Sequence, residues 1–392
     1  MPRLRTGLEV FVWSRAAIWI AMLLAYATFE ARFALPLHPP VKGPEPPRDV
    51  GWGFDVWARW DGGWFTGIAR DGYTDPKTTT AFFPAYPLLV RAAGWVMGGH
   101  YVLAGVIVSL LAAAAAFVLL QELARTLVGE RAALRSVVYL AVCPAALFLG
   151  AVYSESLYLL LSVGAFLAAE RRRWALAGVA AGLAILTRPT GVMLLPALAV
   201  LAWRAAPRAG AFLRLAVALP IAAIWPIWLW ATFGRPFEFL DAEKNTWQRH
   251  LSDAGPFGGA WNGLVAGWKS IVQFTAGGNH FPGADDSLQA AGINLEALAA
   301  AVFVIVLGVV AWRRLGAAYG VFVFASIILP LSSPTAIYPL LSMPRFVLGV
   351  FPVFIALAVI ATGPRASAFV ITTFAILLGV DLARWVEWQF VA

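Results

Sequence analysis

Two stretches of sequence decide the fold: AGVIVSLLAAAAAFVLL at positions 104–120 and ALAAAVFVIVLGVVA at positions 297–311. A helix needs about twenty residues to cross the roughly 30 Å hydrocarbon core of a membrane. A membrane β-barrel would instead show segments of about ten residues with alternating polarity. These continuous apolar runs predict membrane-spanning α-helices, because a helix satisfies its own backbone hydrogen bonds inside lipid.

The composition extends this prediction to the whole chain. Of the 392 residues, 61% are hydrophobic and 13% charged, and the mean hydropathy is +0.77. Soluble domains contain about 45–50% apolar and about 25% charged residues. A water-soluble fold is therefore excluded, and the predicted fold class is all-α, a polytopic membrane protein in which residues 1–392 form a single domain.

The apolar runs predict about eleven transmembrane helices by the length rule. They lie near 10–29, 101–124, 136–152, 154–170, 174–187, 191–203, 212–233, 293–312, 315–331, 345–362 and 367–386. Ala25-Tyr26-Ala27 resembles a signal-peptidase site, yet we expect the first span to remain as an uncleaved anchor. Two connections, a first outer loop at about 31–100 and a second at about 234–292, are far longer than turns require.

Basic residues indicate the orientation of these spans, since Lys and Arg in short loops stay on the cytoplasmic side. They fall on the side of the N-terminus at 125–135, 171–173, 204–214, 313–314 and 365. We therefore predict a multi-pass protein of the cell membrane with a cytoplasmic N-terminus and two non-cytoplasmic loops. The net charge of +8 then reflects topology, so no nucleic-acid partner is expected. The single cysteine, Cys143, has no disulfide partner in the chain.

The first outer loop contains RWDGGWF at 59–65, IARDGY at 68–73 and AFFPAYP at 81–87. If Asp55 to Ala69 is one helix, Trp57, Trp60, Trp64 and Ile68 share an apolar stripe with Asp61 beside it. Asp61 is then a candidate base in an interfacial, partly dehydrated position. Alternatively, Asp61 caps a helix that begins at Gly62, and the tryptophans lie at the membrane interface without binding a ligand.

Three charged residues are predicted at the outer ends of spans. Glu155, in YSES at 153–156, lies at a membrane boundary, where ionisable groups are costly and usually functional. Arg188 precedes Pro189, which ends its helix, and Arg345 begins a late span. Arginine suits a phosphate because its planar fork donates paired hydrogen bonds. A structural ion pair between Glu155 and Arg188 and contact of Arg345 with lipid headgroups are the alternatives.

Taken together, several motifs resemble the PIG-V family, which comprises GPI mannosyltransferase 2 and its bacterial relatives. They are WDGGWF at 60–65, FFPAYP at 82–87, YSESL at 153–157, LTRPTG at 186–191 and PRF at 344–346. The resemblance implies a GT-C-type glycosyltransferase that takes a sugar from a polyprenyl- or dolichyl-phosphate on the non-cytoplasmic side. Asp61 matches the aspartate that acts as base in this class. Eukaryotic members carry charged or polar residues where this chain has Gly62 and Gly63, so the acceptor is not carried over.

The expected function is transfer of a hexose, mannose by the resemblance, from a polyprenyl-phosphate donor to an acceptor hydroxyl by inverting displacement. Arg188 and Arg345 would stabilise the leaving phosphate, and no cofactor or metal is expected because the four histidines are scattered. The expected substrate-binding residues beside Asp61 are Trp60, Asp71, Tyr73, Phe83, Tyr153, Glu155, Arg188 and Arg345.

Some of these expectations have alternatives. Asp71 and Tyr73 also suit a simple turn at 70–73. The acceptor, a glycan or a lipid, could bind the second outer loop, and no feature identifies a membrane protein partner. A transporter or flippase of lipid-linked substrates is the competing function, but it would place its charges at the midplane of repeated halves. The third possible function is that of a non-catalytic assembly subunit, which would need no catalytic base.

Overall fold

The computed structural model describes residues 2–30, 49–247 and 249–391. The described chain is 78% helix and has no strand, which confirms the predicted all-α class. In its first part, the described residues form one long helix and four short ones: α1 (Pro2–Glu30), α2 (Trp52–Asp55), α3 (Asp61–Asp71), α4 (Pro76–Thr79) and α5 (Ala85–Val96). Part of the predicted first outer loop, residues 31–48, lies outside the described residues.

Most of the helices that follow in the middle of the chain lie at the predicted apolar runs, but the run at 136–152 stops being α-helical at Val142 and the run at 212–233 is divided between two helices. These helices are α6 (Tyr101–Val128), α7 (Glu130–Val142), α8 (Glu155–Glu170), α9 (Trp174–Thr187), α10 (Leu194–Trp203), α11 (Arg208–Leu215) and α12 (Ala218–Phe233). Short 3₁₀ turns at Val56–Ala58, Pro144–Leu149 and Pro189–Met193 connect some of these elements.

Seven helices follow among the described residues of the last part of the chain. They are α13 (Glu238–Thr246), α14 (Pro256–Ala276), α15 (Ser287–Arg314), α16 (Ala317–Ser332), α17 (Met343–Gly349), α18 (Pro352–Ile360) and α19 (Pro364–Val386). The predicted second outer loop is thus largely helical, because α13 and α14 lie within it. Helix α18 runs through the core, and its residues 352–358 are all buried.

Five helical segments in the described residues are long and apolar enough to cross a membrane: Thr6–Thr28, Tyr101–Val128, Arg208–Phe233, Ser287–Arg314 and Pro364–Val386. The pair α17 and α18, bent by 85°, adds a sixth if it forms one broken span. Three shorter apolar helices cover 174–187, 189–203 and 317–332. The protein is a multi-pass membrane protein, whereas the count of about eleven spans stays a prediction.

Two close approaches of the backbone set the geometry around the later site. Gly105 of α6 lies against the side chain of Val152, and a Cβ at this position would overlap it. Gly191 follows Arg188, and a Cβ there would lie 2.5 Å from the backbone of Ala184. Only glycine leaves room for such contacts. The segments that carry Tyr153 and Arg188 are therefore held tightly against α6 and α9.

Candidate active site

The chain around Asp61 is bent, so the predicted helix from Asp55 to Ala69 is wrong. A 3₁₀ turn ends at Ala58, Trp60 adopts a φ of 53° and a ψ of −121°, and α3 begins at Asp61. A positive φ is strained for a tryptophan. Asp61 is thus the first residue of α3 rather than its N-cap, and its carboxylate accepts no capping hydrogen bond, contrary to the capping alternative.

Hydrogen bonds from distant parts of the chain hold this strained turn. The Tyr153 hydroxyl accepts a hydrogen bond from the Asp61 amide at 3.1 Å and donates one to the Arg59 carbonyl, also at 3.1 Å. The Arg59 guanidinium donates to the carbonyls of Trp385 and Val386 at 2.5 and 2.6 Å. These contacts fix the position of the Asp61 carboxylate, because they constrain the backbone on both sides of Trp60.

Four of the predicted site residues meet in what we call the ionic cluster: Asp61, Glu155, Arg188 and Arg345. Arg345 Nη1 donates to Asp61 Oδ2 at 2.5 Å, and its Nε lies 3.3 Å from Glu155 Oε1. Arg188 Nη1 donates to the same Glu155 oxygen. The four side chains form an unbroken chain of alternating charge, in which Glu155 joins the two arginines.

Local structure explains how each of these side chains reaches the cluster. Asp61 and Glu155 are the first residues of α3 and α8, and an acidic group is favoured by the helix dipole there. Arg188 has an extended backbone between α9 and the turn that follows, as expected for a residue before proline. Arg345 lies in the first turn of α17, just after Ser342, which has a φ of 65°.

Burial makes this cluster an energetically demanding arrangement. The Glu155 side chain is 3% exposed, while that of Asp61 is 22% exposed and so remains open to solvent. Charges removed from water need partners, and here two carboxylates balance two guanidinium groups. The Glu155 Oε2 atom is nevertheless buried without a hydrogen-bond partner among the described residues. The ion pair expected as the structural alternative for Glu155 and Arg188 is therefore present, but it is part of a larger cluster that includes Asp61.

Aromatic rings support the arginines. The Arg345 guanidinium carbon lies 5.8 Å from the ring centroid of Phe148 and 5.5 Å from that of Tyr153. The Arg188 carbon lies 5.5 Å from the ring centroid of Phe346. Such cation–π contacts stabilise a guanidinium without neutralising it. These ring contacts help to hold both guanidinium groups in place, in addition to their ion pairs with Asp61 and Glu155.

The second outer loop contributes a pair of residues that the sequence motifs did not identify as site residues. The Arg249 guanidinium carbon lies 5.6 Å from the Phe346 ring, on which Arg188 also packs, and its Nη2 donates to the Leu341 carbonyl at 3.3 Å. Its Nε lies 3.7 Å from Glu243 Oε2. Burial raises the pKa of Glu243, and Arg249 opposes this shift. No sequence motif identified Glu243 as a site residue. Arg249 is one of several charged residues in the second outer loop, and nothing in the sequence distinguishes it from the others.

The two outer loops meet at this end of the molecule. The Thr246 hydroxyl at the end of α13 donates to the Lys77 carbonyl of α4 at 3.0 Å. Trp247 packs edge-on against Phe82 with 5.9 Å between ring centroids. The structure thus brings together the two segments that the charge pattern places on one side of the membrane. Unlike Trp247, the side chains of Trp261 and Trp268 in α14 are exposed.

The remaining predicted site residues lie around the cluster rather than in it. Trp60 packs edge-on against Trp388 and Phe390. Asp71 pairs with Arg70 at 2.7 Å at the exposed end of α3, and this hydrogen-bonded guanidinium lowers the pKa of the carboxyl. Among the described residues, the hydrogen bonds and ion pair of the Asp71 side chain are with Arg70, and not with the ionic cluster.

Tyr73 and Phe83 belong to an aromatic wall next to α12. The Tyr73 hydroxyl donates to the Phe82 carbonyl at 2.8 Å, and its ring lies 4.9 Å from that of Trp225. Phe83 is buried and packs against Trp225 and Leu186. Leu186 lies two residues before Arg188, so this wall adjoins the cluster through the end of α9. In the described part of the chain, no three His, Cys, Asp or Glu side chains lie close enough to share a metal ion.

Solved structures share this architecture. ArnT from Cupriavidus metallidurans, solved with bound undecaprenyl phosphate, is similar with a TM-score of 0.51 and 17% identity over 93% of this chain and 62% of ArnT. The oligosaccharyltransferase AglB from Archaeoglobus fulgidus, solved with an inhibitory peptide and a dolichol-phosphate, gives a TM-score of 0.44 and 15% identity over 95% of this chain and 56% of AglB. The chain thus spans less than two thirds of either protein. The likeness to ArnT concerns the fold alone, which is of the GT-C type.

Sequence comparison finds a matching family model for the first half of the chain. No curated protein matches the chain. The family model described as Mannosyltransferase (PIG-V) matches residues 8–199, which include Asp61, Tyr153, Glu155 and Arg188 but not Arg345. The match confirms the resemblance of the motifs to the PIG-V mannosyltransferase family over residues 8–199, just under half of the chain.

Proposed function

We propose that this protein is a membrane glycosyltransferase that transfers a hexose, mannose, from a polyprenyl-phosphate donor to an acceptor hydroxyl. The observation that carries the proposal is the contact of Asp61 with Arg345 in a cluster shared with Glu155 and Arg188. The cluster combines a solvent-accessible carboxylate with two arginines. Those are the groups that proton removal from an alcohol and binding of a phosphate require.

In the proposed mechanism, Asp61 accepts the proton of the acceptor hydroxyl while that oxygen attacks the anomeric carbon. The bond between this carbon and the phosphate oxygen breaks, and the configuration at the carbon inverts. Without substrate, Asp61 is paired with Arg345, which occupies one of its oxygens. A donor phosphate that takes Arg345 as its partner would free that oxygen to act as base.

The leaving lipid phosphate gains negative charge in the transition state, so fixed cations stabilise this state more than the ground state. Arg345 and Arg188 would supply them, and Glu155 would hold both in place as a positioning residue. Arg249 would add a third cation from the second outer loop. The structure supports this arrangement because all three guanidinium groups pack on rings of Phe148, Tyr153 or Phe346.

The sugar would be bound by residues of the first outer loop. Trp60 lies next to the base, and Tyr73 and Phe83 form an aromatic wall that adjoins Arg188 through Leu186. Asp71 would reach the sugar only with a bound substrate, since in this structure it pairs with Arg70. The acceptor, a glycan or a lipid, would approach along the second outer loop.

We further propose that residues 1–392 act as one domain with the cluster on the non-cytoplasmic side and the N-terminus in the cytoplasm. The distribution of Lys and Arg supports this orientation. The donor would be a polyprenyl-phosphate sugar, by analogy with the undecaprenyl phosphate bound to ArnT. Charges gathered at one end of the bundle favour this function over a transporter, whose charges lie at the midplane.

The proposal is tested by deleting the gene and analysing the lipid-linked sugars of the membrane. Loss of the enzyme should cause its unused donor, polyprenyl-phosphate mannose, to accumulate. The wild-type chain should restore the normal level, and a chain with Arg345→Gln should not. An unchanged lipid-linked sugar pool would contradict the proposal. Accumulation of a different lipid-linked hexose would show that this hexose, and not mannose, is the sugar transferred.

A further inference from the structure

A cavity of about 400 Å³ lies at the end of the bundle opposite the ionic cluster. Helices α8 and α9 connect the two ends: α8 runs from Glu155 in the cluster to Glu170 at the cavity, and α9 returns from Trp174 to Arg188. A helix of sixteen residues is about 24 Å long. The cavity is therefore separate from the proposed active site, and the proposed function makes no use of it.

Two arginines without carboxylate partners line this cavity. Arg172 belongs to the turn between α8 and α9, and Arg204 follows α10. Within residues 49–247 and 249–391, neither makes an ion pair with a carboxylate. The neighbouring Arg171, in contrast, pairs with Glu122 at 2.5 Å. The cavity thus holds positive charge that the protein itself does not neutralise.

The one carboxylate in the cavity wall is already engaged. Glu170 Oε1 accepts a hydrogen bond of 2.8 Å from the Tyr319 hydroxyl. The φ of Arg172 is 57°, in the left-handed region, and Gly316 across the cavity has a φ of 111°. Two guanidinium groups against one hydrogen-bonded carboxylate give the site a net preference for an anion.

The rest of the lining is apolar. Leu127, Leu201 and Leu315 border the cavity, together with the ring of Trp174. Its volume falls in the range of small-molecule sites, about 300–1,000 Å³, and exceeds what a bare phosphate would fill. An anionic group with an attached apolar part matches such a lining. Basic pockets between membrane helices bind lipid headgroups in this way.

We infer that the cavity bounded by Arg172 and Arg204 is a binding site for a phosphate-bearing anion, the headgroup of an anionic phospholipid. The arginines would bind the phosphate oxygens through paired hydrogen bonds, while the glycerol and the first methylene groups lie against the leucines. Occupancy would stabilise the turn between α8 and α9. The site is independent of the proposed transfer reaction.

The test uses native mass spectrometry of the full chain, purified in detergent free of phosphate and lipid. Phosphatidylglycerol is titrated in parallel with diacylglycerol of the same acyl chains, which lacks the phosphate. The variants are Arg172→Gln with Arg204→Gln, and a matched control, Arg131→Gln with Arg365→Gln. The control removes the same charge from exposed arginines that the sequence places at the same end.

We expect phosphatidylglycerol, and not diacylglycerol, to bind, with affinity reduced about tenfold or more in the Arg172/Arg204 variant and unchanged in the control. If inorganic phosphate displaces the lipid from the wild type, a free anion uses the same site, which supports the shared chemistry. Equal binding in both variants, or equal binding of both lipids, would overturn the inference. If the double variant does not fold, each single Gln variant gives the same comparison with a smaller expected loss.

Discussion

Glu155 gives the most informative prediction about stability, since it links Arg188 and Arg345 while being only 3% exposed. Glu155→Gln keeps the shape of the side chain and one acceptor oxygen but removes the charge between two guanidinium groups. At 3.3 Å and an effective dielectric constant of about 20, one such pair interacts by about 5 kcal/mol. Relaxation and solvation reduce the measured cost of breaking a buried pair to about 3–5 kcal/mol.

We therefore expect Glu155→Gln to lower the free energy of unfolding by about 3 kcal/mol. A double-mutant cycle with Arg188→Gln should give a coupling energy of about 2 kcal/mol, because these residues share a buried ion pair. The free energies can be measured by titration with a denaturing detergent, followed by tryptophan fluorescence. Glu130→Gln is the control, since this exposed residue at the start of α7 should cost less than about 1 kcal/mol.

Additivity of the two substitutions would refute this description of the cluster. If the coupling energy is below about 0.5 kcal/mol, the limit for independent sites, the two side chains do not interact in the folded protein. A cost of Glu155→Gln as small as that of Glu130→Gln would contradict the burial of Glu155 as well. Either result would remove the support for Glu155 as the residue that positions both arginines.

Three further substitutions test other parts of the site. Gly191→Ala places a Cβ 2.5 Å from the backbone of Ala184, so we expect a loss of about 1–3 kcal/mol, measured by the same titration; an unchanged stability would show that this turn is not tightly packed. Tyr153→Phe removes the hydroxyl that hydrogen-bonds to the backbone on both sides of Trp60. We expect it to lower the free energy of unfolding by about 1–3 kcal/mol, and to lower kcat in a transfer assay while leaving donor binding intact. Arg249→Gln should weaken binding of a polyprenyl-phosphate donor about tenfold, and a normal Kd would exclude Arg249 from phosphate recognition.

Much of the helical framework could be predicted from the sequence alone. The predicted spans at 154–170 and 174–187 agree with α8 and α9 within one residue, because charged residues and a proline mark their ends. The length of the apolar runs alone does not determine the number of membrane spans, since α7 has only 13 residues and α17 and α18 meet at 85°. Whether such short helices cross the membrane depends on packing with their neighbours.

The bend at Trp60 could not be predicted, because its cause lies far away in the sequence. Local periodicity favours one helix from 55 to 69, yet the Tyr153 hydroxyl, 92 residues from Asp61, holds the strained turn. Helical propensity is a weak preference that tertiary contacts readily override. The bend also changes the environment of Trp57, which is buried against Trp19 rather than lying at the membrane surface.

The site itself was predicted only in part. The topology placed Asp61, Glu155, Arg188 and Arg345 at one end of the bundle, and the structure brings them into contact across 284 residues for Asp61 and Arg345. The separation of these residues along the sequence does not indicate which arginine pairs with which carboxylate. The approach of Arg249 was not predictable either, since it depends on how the second outer loop folds over α17.

The central claim is that Asp61 removes the proton from the acceptor hydroxyl. Its most direct test is the rate of mannose transfer from radiolabelled polyprenyl-phosphate mannose in membranes that contain Asp61→Asn, compared with Asp75→Asn. Asp75 caps α4 in the same loop and lies outside the proposed machinery, and asparagine also caps helices. Loss of a general base should lower the rate about 10²- to 10⁴-fold, with donor binding and protein abundance preserved and Asp75→Asn unaffected. A normal rate for Asp61→Asn would contradict the account.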